Sequence, residues 1–202
     1  MIDRYAIAWL RPAFVAGAGA LARLGAKADQ LTVAGFAIGI AGSTAIALGH
    51  FLPGLAALAA SRLCDGLDGA LARLAAPTDR GGFLDITLDF IFYASVPLAF
   101  AVVDPAANAL AAAVLLASFV GTTSSFLAFA ALAAQRGLKS DAYPTKGIYY
   151  LGGLAEATET LVCFALMCAW PAHFAIFAYA FTVLCVVTTA TRILAGWRAF
   201  SI

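Results

Sequence analysis

The amino-acid sequence predicts an all-α membrane protein in which six transmembrane helices follow an N-terminal interfacial amphipathic segment. Of the 202 residues, 63% are hydrophobic and only 11% are charged, whereas a soluble domain carries about 25% charged residues. Several apolar stretches reach the ~20 residues that a helix needs to cross a bilayer, and short polar or turn-forming segments separate them. The net charge of +1 argues against nucleic acid as a partner.

Residues 1–27 form the first predicted unit, an interfacial helical segment. Because proline interrupts helices, we expect two short helices on either side of Pro12, both lying in the membrane interface. Residues 28–202 form the second unit, the six-helix membrane domain. Four charged residues make the first unit too polar to span the membrane: Asp3, Arg4, Arg11 and Arg23.

The six helices of the membrane domain are delimited by glycine, proline and polar residues. Lys and Arg are absent from the odd-numbered loops but frequent in the even-numbered loops and near both ends of the chain. Positive residues favour the cytoplasmic side, so both termini and the loop at 74–81 are predicted to face the cytoplasm. The approximate helix ranges are 29–49, 52–73, 81–103, 105–135, 147–170 and 172–197.

The most acidic part of the membrane domain is the stretch 64–90, which contains five of the 11 acidic residues. A carboxylate inside a bilayer costs about 2.5–3.5 kcal/mol, so something must compensate it. Asp65 and Asp68 are three residues apart on the second helix and share one of its faces. Asp85 and Asp89 are four residues apart on the third helix and share a face in the same way. A tight loop makes the two helices antiparallel, so the two faces can meet near the cytoplasmic boundary.

Four converging carboxylates would repel one another unless divalent cations lay between them. Oxygen ligands favour Mg²⁺, Mn²⁺ or Ca²⁺ over Zn²⁺, and a pair of carboxylate-bridged ions commonly holds and polarises a pyrophosphate. Gly69 and Gly81 leave room for a substrate to approach the backbone, and Arg73 is placed to meet a phosphate at the helix end. The fifth aspartate, Asp79, lies in the loop, where we expect water to solvate it.

Two other interpretations of the aspartates stay open. Arg62, Arg73 and Arg80 could neutralise one or two aspartates as ion pairs, although not all four together with the glycines. The chain could instead be an ion-coupled transporter, since intramembrane carboxylates also serve ion pathways. Transporters usually contain structural repeats, and residues 105–202 contain no second copy of the aspartate motif, which favours an enzyme.

The aspartate motif resembles the signature of the CDP-alcohol phosphotransferases, membrane enzymes that make phospholipid head groups. The pattern Asp-x2-Asp-Gly-x2-Ala-Arg-x7-Gly-x3-Asp-x3-Asp is met in full from Asp65 to Asp89. "KADQLTVAG" at 27–35 is similar to the Pro-Asn-x2-Thr-x2-Gly segment of this family, with Ala28 for Pro and Asp29 for Asn. The whole chain resembles a bacterial inner-membrane branch of the family through "GGFLDITLDFIFYA", "GTTSSFLAFAALAA" and "YYLGGLAEATET".

The resemblance implies a reaction, its partners and its location. The expected reaction is metal-dependent transfer of a phosphatidyl group from CDP-diacylglycerol to a small alcohol, with release of CMP. The alternative within the class is transfer of a phospho-alcohol from a soluble CDP-alcohol to diacylglycerol. The cofactors would be two Mg²⁺ or Mn²⁺ ions per site, with Ca²⁺ as an inhibitor. A homodimer in the bacterial inner membrane is implied, and the small residues at 109–113 could form its interface or pack within one chain.

The resemblance also implies roles for individual residues. Asp89 would act as general base on the acceptor hydroxyl as well as touching the metal site, and Asp29 would accept a hydrogen bond from the cytosine amino group. The implied metal ligands are Asp65, Asp68, Asp85 and Asp89. The implied nucleotide-binding residues are Asp29, Thr32, Asp68, Gly69, Arg73, Thr78 and Gly81.

The acceptor site is predicted near the start of the fifth helix. Relatives that use phosphorylated acceptors place arginines there, whereas this chain has Leu154, with Glu156 and Glu159 on one helical face. We therefore expect an unphosphorylated polyol or amino alcohol whose hydroxyls Glu156 orients. The glutamates could instead only form ion pairs, and the basic candidates could bind a phosphate. The full set of acceptor candidates is Lys139, Lys146, Glu156, Glu159 and Arg192.

Overall fold

The computed structural model of the chain describes residues 3–137 and 153–201, with side chains from Trp9 onward. Within these ranges the protein is all-α, as predicted, and contains no strand. A short 3₁₀ turn at Pro171–His173 precedes the last helix. The helices are α1 (Asp3–Arg23), α2 (Ala28–Ala47), α3 (Phe51–Ala75), α4 (Asp79–Val103), α5 (Pro105–Gln135), α6 (Ala157–Ala169) and α7 (Phe174–Phe200).

Four helical segments of the described chain are long and apolar enough to cross a membrane: α2, α4, α5 and the segment 171–200 that contains α7. The chain is therefore a multi-pass membrane protein. Helix α3 has 25 residues but carries the charged motif, which lowers its hydropathy. Helix α6 has 13 residues and is about 20 Å long, shorter than the ~30 Å hydrocarbon core. Six spans remain a prediction.

The prediction of two short helices around Pro12 is wrong, because α1 continues through this proline. Proline removes one backbone hydrogen bond, but tertiary packing overrides this local preference. Ala18 is fully buried, and Phe14 packs on Gly66 of α3 so closely that a Cβ there would lie 2.4 Å from its ring. The interfacial location of α1 stays a prediction.

The predicted fifth helix, 147–170, also begins later than expected. Residues 147–152 of that range lie outside the described residues, and 153–156 are not helical. The hydroxyl of Thr188 on α7 accepts hydrogen bonds from the backbone N–H groups of Leu154 and Ala155, each at 3.0 Å. A Cβ at Gly153 would lie 2.4 Å from Thr188 Cγ2. Contacts with α7 therefore hold this segment in a non-helical form until α6 starts at Ala157.

Glycines bring α2 into close contact with α3 and α4. A Cβ at Gly35 would lie 2.7 Å from Cys64 Cβ on α3, and a Cβ at Gly39 would lie 2.5 Å from the ring of Phe92 on α4. Small residues allow helix backbones in membranes to approach closely. This packing places the start of α2 beside the acidic ends of α3 and α4.

At the opposite end of the molecule, Asp104 alone connects α4 to α5. Its carboxylate accepts a hydrogen bond from Ala107 N at 3.1 Å and so caps α5. The buried side chain of Asn108 donates to the carbonyl of Phe100 at 3.0 Å, which also accepts a longer hydrogen bond from Asp104 N at 3.4 Å. The Phe100 ring stacks on Phe174 with centroids 4.6 Å apart. The joint is capped on both sides and anchored in the aromatic core.

Candidate active site

The hairpin of α3 and α4 brings three aspartates together. One carboxylate oxygen from each of Asp65, Asp68 and Asp85 lies within 4.8 Å of the other two. The hairpin is tight because α3 ends at Ala75 and α4 begins at Asp79, with the Thr78 hydroxyl accepting a hydrogen bond from Gly81 N at 3.1 Å. The predicted convergence of the two helix faces is therefore present for these three carboxylates.

The three carboxylates fit a divalent cation. Asp68 is buried, with 4% of its surface exposed, and its Oδ2 atom has no hydrogen-bond partner among the described residues. A buried carboxylate oxygen without a partner is unfavourable, and a cation would compensate it. Asp85 is exposed and Asp65 is half-buried, so the cluster opens to the surface. Hard carboxylate oxygens suit Mg²⁺ or Mn²⁺.

Asp89 lies outside this cluster of three and pairs with Arg62 instead. The Nη1 atom of Arg62 donates to the Asp89 carboxylate and lies 3.5 Å from Asp65 Oδ1. The guanidinium also lies over the Phe92 ring, 4.0 Å from its centroid. The ion-pair interpretation thus applies to Asp89 and partly to Asp65, but not to the buried Asp68.

Predicted nucleotide-binding residues from α2 and α4 come together on one side of the hairpin. A Cβ at Gly81 would lie 3.1 Å from both Asp29 Oδ1 and Thr78 Oγ1, so these three residues are neighbours. Arg80 Nε donates to Asp29 Oδ2 at 2.8 Å. Sequence reasoning missed this pair, although the basic residue next to the motif glycine was a usable signal.

Room for a substrate exists next to Gly69. Among the described residues, a Cβ at this position would meet only the guanidinium of the exposed Arg73, at 3.5 Å and 3.8 Å. A cleft formed by α2, α3 and α4 contains the carboxylates together with residues that the sequence did not single out, notably Phe36, Ser61 and Leu88. The cleft is lined by Thr32, Gly35, Phe36, Ser61, Arg62, Asp65, Asp68, Asp85, Leu88 and Asp89.

The predicted acceptor residues are only partly described. Lys139 and Lys146 lie outside the described residues. Arg192 is buried on α7 and its Nη1 donates to the Thr122 carbonyl at 3.0 Å.

The two glutamates near this region do not share a helical face as predicted. Glu156 is buried and immediately precedes α6, because the helix begins only at Ala157. Its Oε1 accepts a hydrogen bond from Gly153 N at 3.0 Å. Glu159 lies in the first turn of α6 and is half-buried. One glutamate therefore stabilises the segment before the helix, and the other belongs to the helix itself.

Membrane helices that carry an acidic hairpin agree with the resemblance to a class of lipid-synthesising transferases. The chain belongs to the CDP-alcohol phosphatidyltransferase family, whose model matches residues 26–195. It is therefore an enzyme, a transferase of this family. Over 197 residues it is 49% identical to the inner membrane protein YnjF of Escherichia coli K12, covering 98% of this chain and 96% of that protein.

Two further similar proteins, one matched in sequence and one in fold, have named activities. The chain is 48% identical over 68 residues to the archaetidylinositol phosphate synthase of Methanothermobacter thermautotrophicus, covering 33% of this chain and 35% of that protein. Its fold is similar to that of Mycobacterium tuberculosis phosphatidylinositol phosphate synthase with CDP-DAG bound, with a TM-score of 0.72 and 24% identity over 91% of this chain and 93% of the other. The same synthase has also been crystallised with manganese and citrate.

Proposed function

We propose that this enzyme transfers a phosphatidyl group from CDP-diacylglycerol to an alcohol and releases CMP in a metal-dependent reaction. The observation that carries the proposal is the convergence of Asp65, Asp68 and Asp85 beside a cleft with open backbone at Gly69. The CDP-DAG in the similar crystal structure favours this donor over a soluble CDP-alcohol, which is the alternative donor within the class.

The metal site would be formed by Asp65, Asp68 and Asp85, with Asp89 at its edge. Two ions, Mg²⁺ or Mn²⁺, are proposed. Bound there, they would neutralise the donor pyrophosphate and polarise it for in-line displacement. The buried oxygen of Asp68 supports this role, because it is held inside the protein without a hydrogen-bond partner among the described residues.

The nucleotide would lie along the side of the hairpin where Asp29, Thr78 and Gly81 meet. The exposed guanidinium of Arg73 reaches over Gly69 and is placed to bind a phosphate of the donor. Asp29 would exchange its hydrogen bond with Arg80 for one from the cytosine amino group. Thr32, one helical turn beyond Asp29 on α2, lines the cleft that contains the carboxylates.

Asp89 would accept the proton of the acceptor hydroxyl. Its guanidinium partner, Arg62, binds the carboxylate form, which is the form that accepts a proton. The deprotonated oxygen then bonds to the β-phosphorus, and the bond from this phosphorus to CMP breaks. The products are the phosphatidyl-alcohol, CMP and a proton on Asp89.

We propose that the acceptor is an unphosphorylated polyol or amino alcohol. Arg192 is buried and donates to the Thr122 carbonyl, which turns at least one of its nitrogens away from a phosphate. Glu156 and Glu159 place negative charge near the same region, which would repel a phosphorylated acceptor and suit hydroxyl or ammonium groups. The bond from Gly153 N to Glu156 favours the alternative that this glutamate only stabilises the local fold.

The proposed location is the bacterial inner membrane, with both termini and the active site facing the cytoplasm. A similar protein is named an inner membrane protein, and basic residues are concentrated on the predicted cytoplasmic side.

A homodimer is proposed as well. Ala111 and Ala112 are buried within the chain, whereas Ala109 and Ala113 are exposed and available to a second copy. A monomer mass in detergent at every concentration would refute the dimer.

The experiment that tests the reaction is CMP release by the purified protein. We expect release from CDP-diacylglycerol that requires both an alcohol and Mg²⁺ or Mn²⁺, and that stops with EDTA. CMP release only from a soluble CDP-alcohol together with diacylglycerol would favour the alternative donor. No release from either donor, with cation flux into proteoliposomes, would favour a transporter.

A further inference from the structure

Arg62 is a cation already present among the carboxylates. Its side chain is only 12% exposed. It donates to Asp89 from Nη1 and to Ser61 Oγ from Nη2 at 3.3 Å, and it lies over the fully buried ring of Phe92. Nη1 also lies 3.5 Å from Asp65 Oδ1, so the guanidinium is bonded to Asp89 and lies beside Asp65.

The four aspartates are therefore not equivalent. Asp65, Asp68 and Asp85 have oxygens close enough to share one ion, whereas Asp89 lines the same cleft but is bonded to Arg62. A second ion that used Asp89 would have to displace the guanidinium or lie next to it. Two cations separated by a few ångströms in a partly buried site repel each other strongly.

We propose that Arg62 is a positioning residue that makes the two metal ions bind with unequal affinity. The first ion binds at Asp65, Asp68 and Asp85. The second binds only when the guanidinium leaves Asp89, so Arg62 lowers the affinity for the second ion. The inference rests on the proposed function for the identity of the metal site, and it concerns the order in which that site fills.

The inference links the second ion to the donor. The pyrophosphate of a CDP-linked donor offers Arg62 a new anionic partner, which frees Asp89. Binding of the nucleotide and of the second ion would then favour each other, and this coupling is reciprocal by linkage. Removing the guanidinium should remove much of the coupling.

The test is a titration of the purified protein in detergent with Mn²⁺, without nucleotide. Binding is monitored through the electron paramagnetic resonance signal of free Mn²⁺. We expect one tight ion and a second that binds about tenfold or more weakly, a gap of about 1.4 kcal/mol or more. In Arg62→Gln the second affinity should rise by about tenfold, and by more than the first, because Nη1 donates to Asp89 but lies 3.5 Å from Asp65 Oδ1. Adding CDP should tighten the second ion more in the wild type than in Arg62→Gln, after correction for the Mn²⁺ that CDP binds in a sample without protein.

Two variants serve as controls. Arg62→Lys keeps a positive charge beside Asp89 and should retain most of the gap. Arg80→Gln removes the same charge from a guanidinium that pairs with Asp29 instead of Asp89, and it should leave both Mn²⁺ affinities unchanged.

Three results would overturn the inference: equal affinities in the wild type, an unchanged gap in Arg62→Gln, or loss of the first ion in that variant. CMP release by the wild type is measured separately. A normal reaction with an unchanged gap would refute the role of Arg62 alone, whereas absence of both metal binding and CMP release would refute the proposed function.

Discussion

Gly35 offers a quantitative test of how helix packing supports the site. In Gly35→Ala the new Cβ would lie 2.7 Å from Cys64 Cβ and 3.3 Å from the Ser61 carbonyl. Ordinary contact begins near 3.4 Å, so α2 and α3 must separate by about 0.7 Å, since neither neighbour can rotate away. Such overpacking typically costs about 1–3 kcal/mol, and the better helix propensity of alanine returns about 0.5–1 kcal/mol.

We therefore expect Gly35→Ala to lose about 1 kcal/mol of stability, the difference between the midpoints of these two ranges, which for a chain of this size lowers the unfolding temperature by a few degrees. Its CMP release should fall as well, because Gly35 lines the cleft. The matched control is Gly82→Ala on α4, where a Cβ would meet no atom of the described residues within 4 Å. Thermal unfolding in detergent and CMP release are measured on both variants. Equal stability and equal activity of the two would refute the packing argument.

Three other predictions can be checked with the same preparations. Asp85→Asn should reduce CMP release to background while the protein keeps its unfolding temperature, because this carboxylate is exposed; near-normal turnover would contradict the metal site. Ala76 has a φ of +75° and a ψ of 124°, a sparsely populated conformation that costs a non-glycine residue about 1–3 kcal/mol. Ala76→Gly should therefore raise the unfolding temperature by a few degrees, and a decrease would refute the strain. In competition assays unphosphorylated alcohols should outcompete glycerol 3-phosphate, and this preference should be weaker in Glu156→Gln. Efficient use of glycerol 3-phosphate that is lost in Arg192→Ala but kept in Glu156→Gln would refute this acceptor assignment.

The parts of the site that could be predicted follow from helix periodicity. The spacing of three residues between Asp65 and Asp68, and the short loop to α4, predict the cluster with Asp85. The spacing of four also predicts Asp89 as a member, but this carboxylate is bonded to Arg62. The partner of Arg62 could not be predicted in this way. A guanidinium on α3 has acidic residues within reach on two helices, and the choice of Asp89 depends on where the Phe92 ring lies after packing.

The two errors in helix boundaries have a similar origin. Pro12 signals a break in α1, but the contact between Phe14 and Gly66 outweighs the signal. The segment before α6 is apolar enough to be helical, yet the hydroxyl of Thr188, more than 30 residues further along the chain, accepts its amide hydrogens. Local sequence carries no information about such distant partners.

Because Asp104 alone joins α4 to α5, a small rotation of α4 about this residue would produce a larger displacement at the other end of the helix. Asp85 lies 19 residues from this joint, which corresponds to about 28 Å along the helix axis. A rotation of about 2° at the joint would therefore move the Asp85 carboxylate by about 1 Å, a displacement of the size that disturbs reacting groups. The hydrogen bonds of Asp104 and Asn108 lie at the far side of the molecule from the carboxylates, and their angular stiffness adds to the packing of α4 on α2 in holding Asp85.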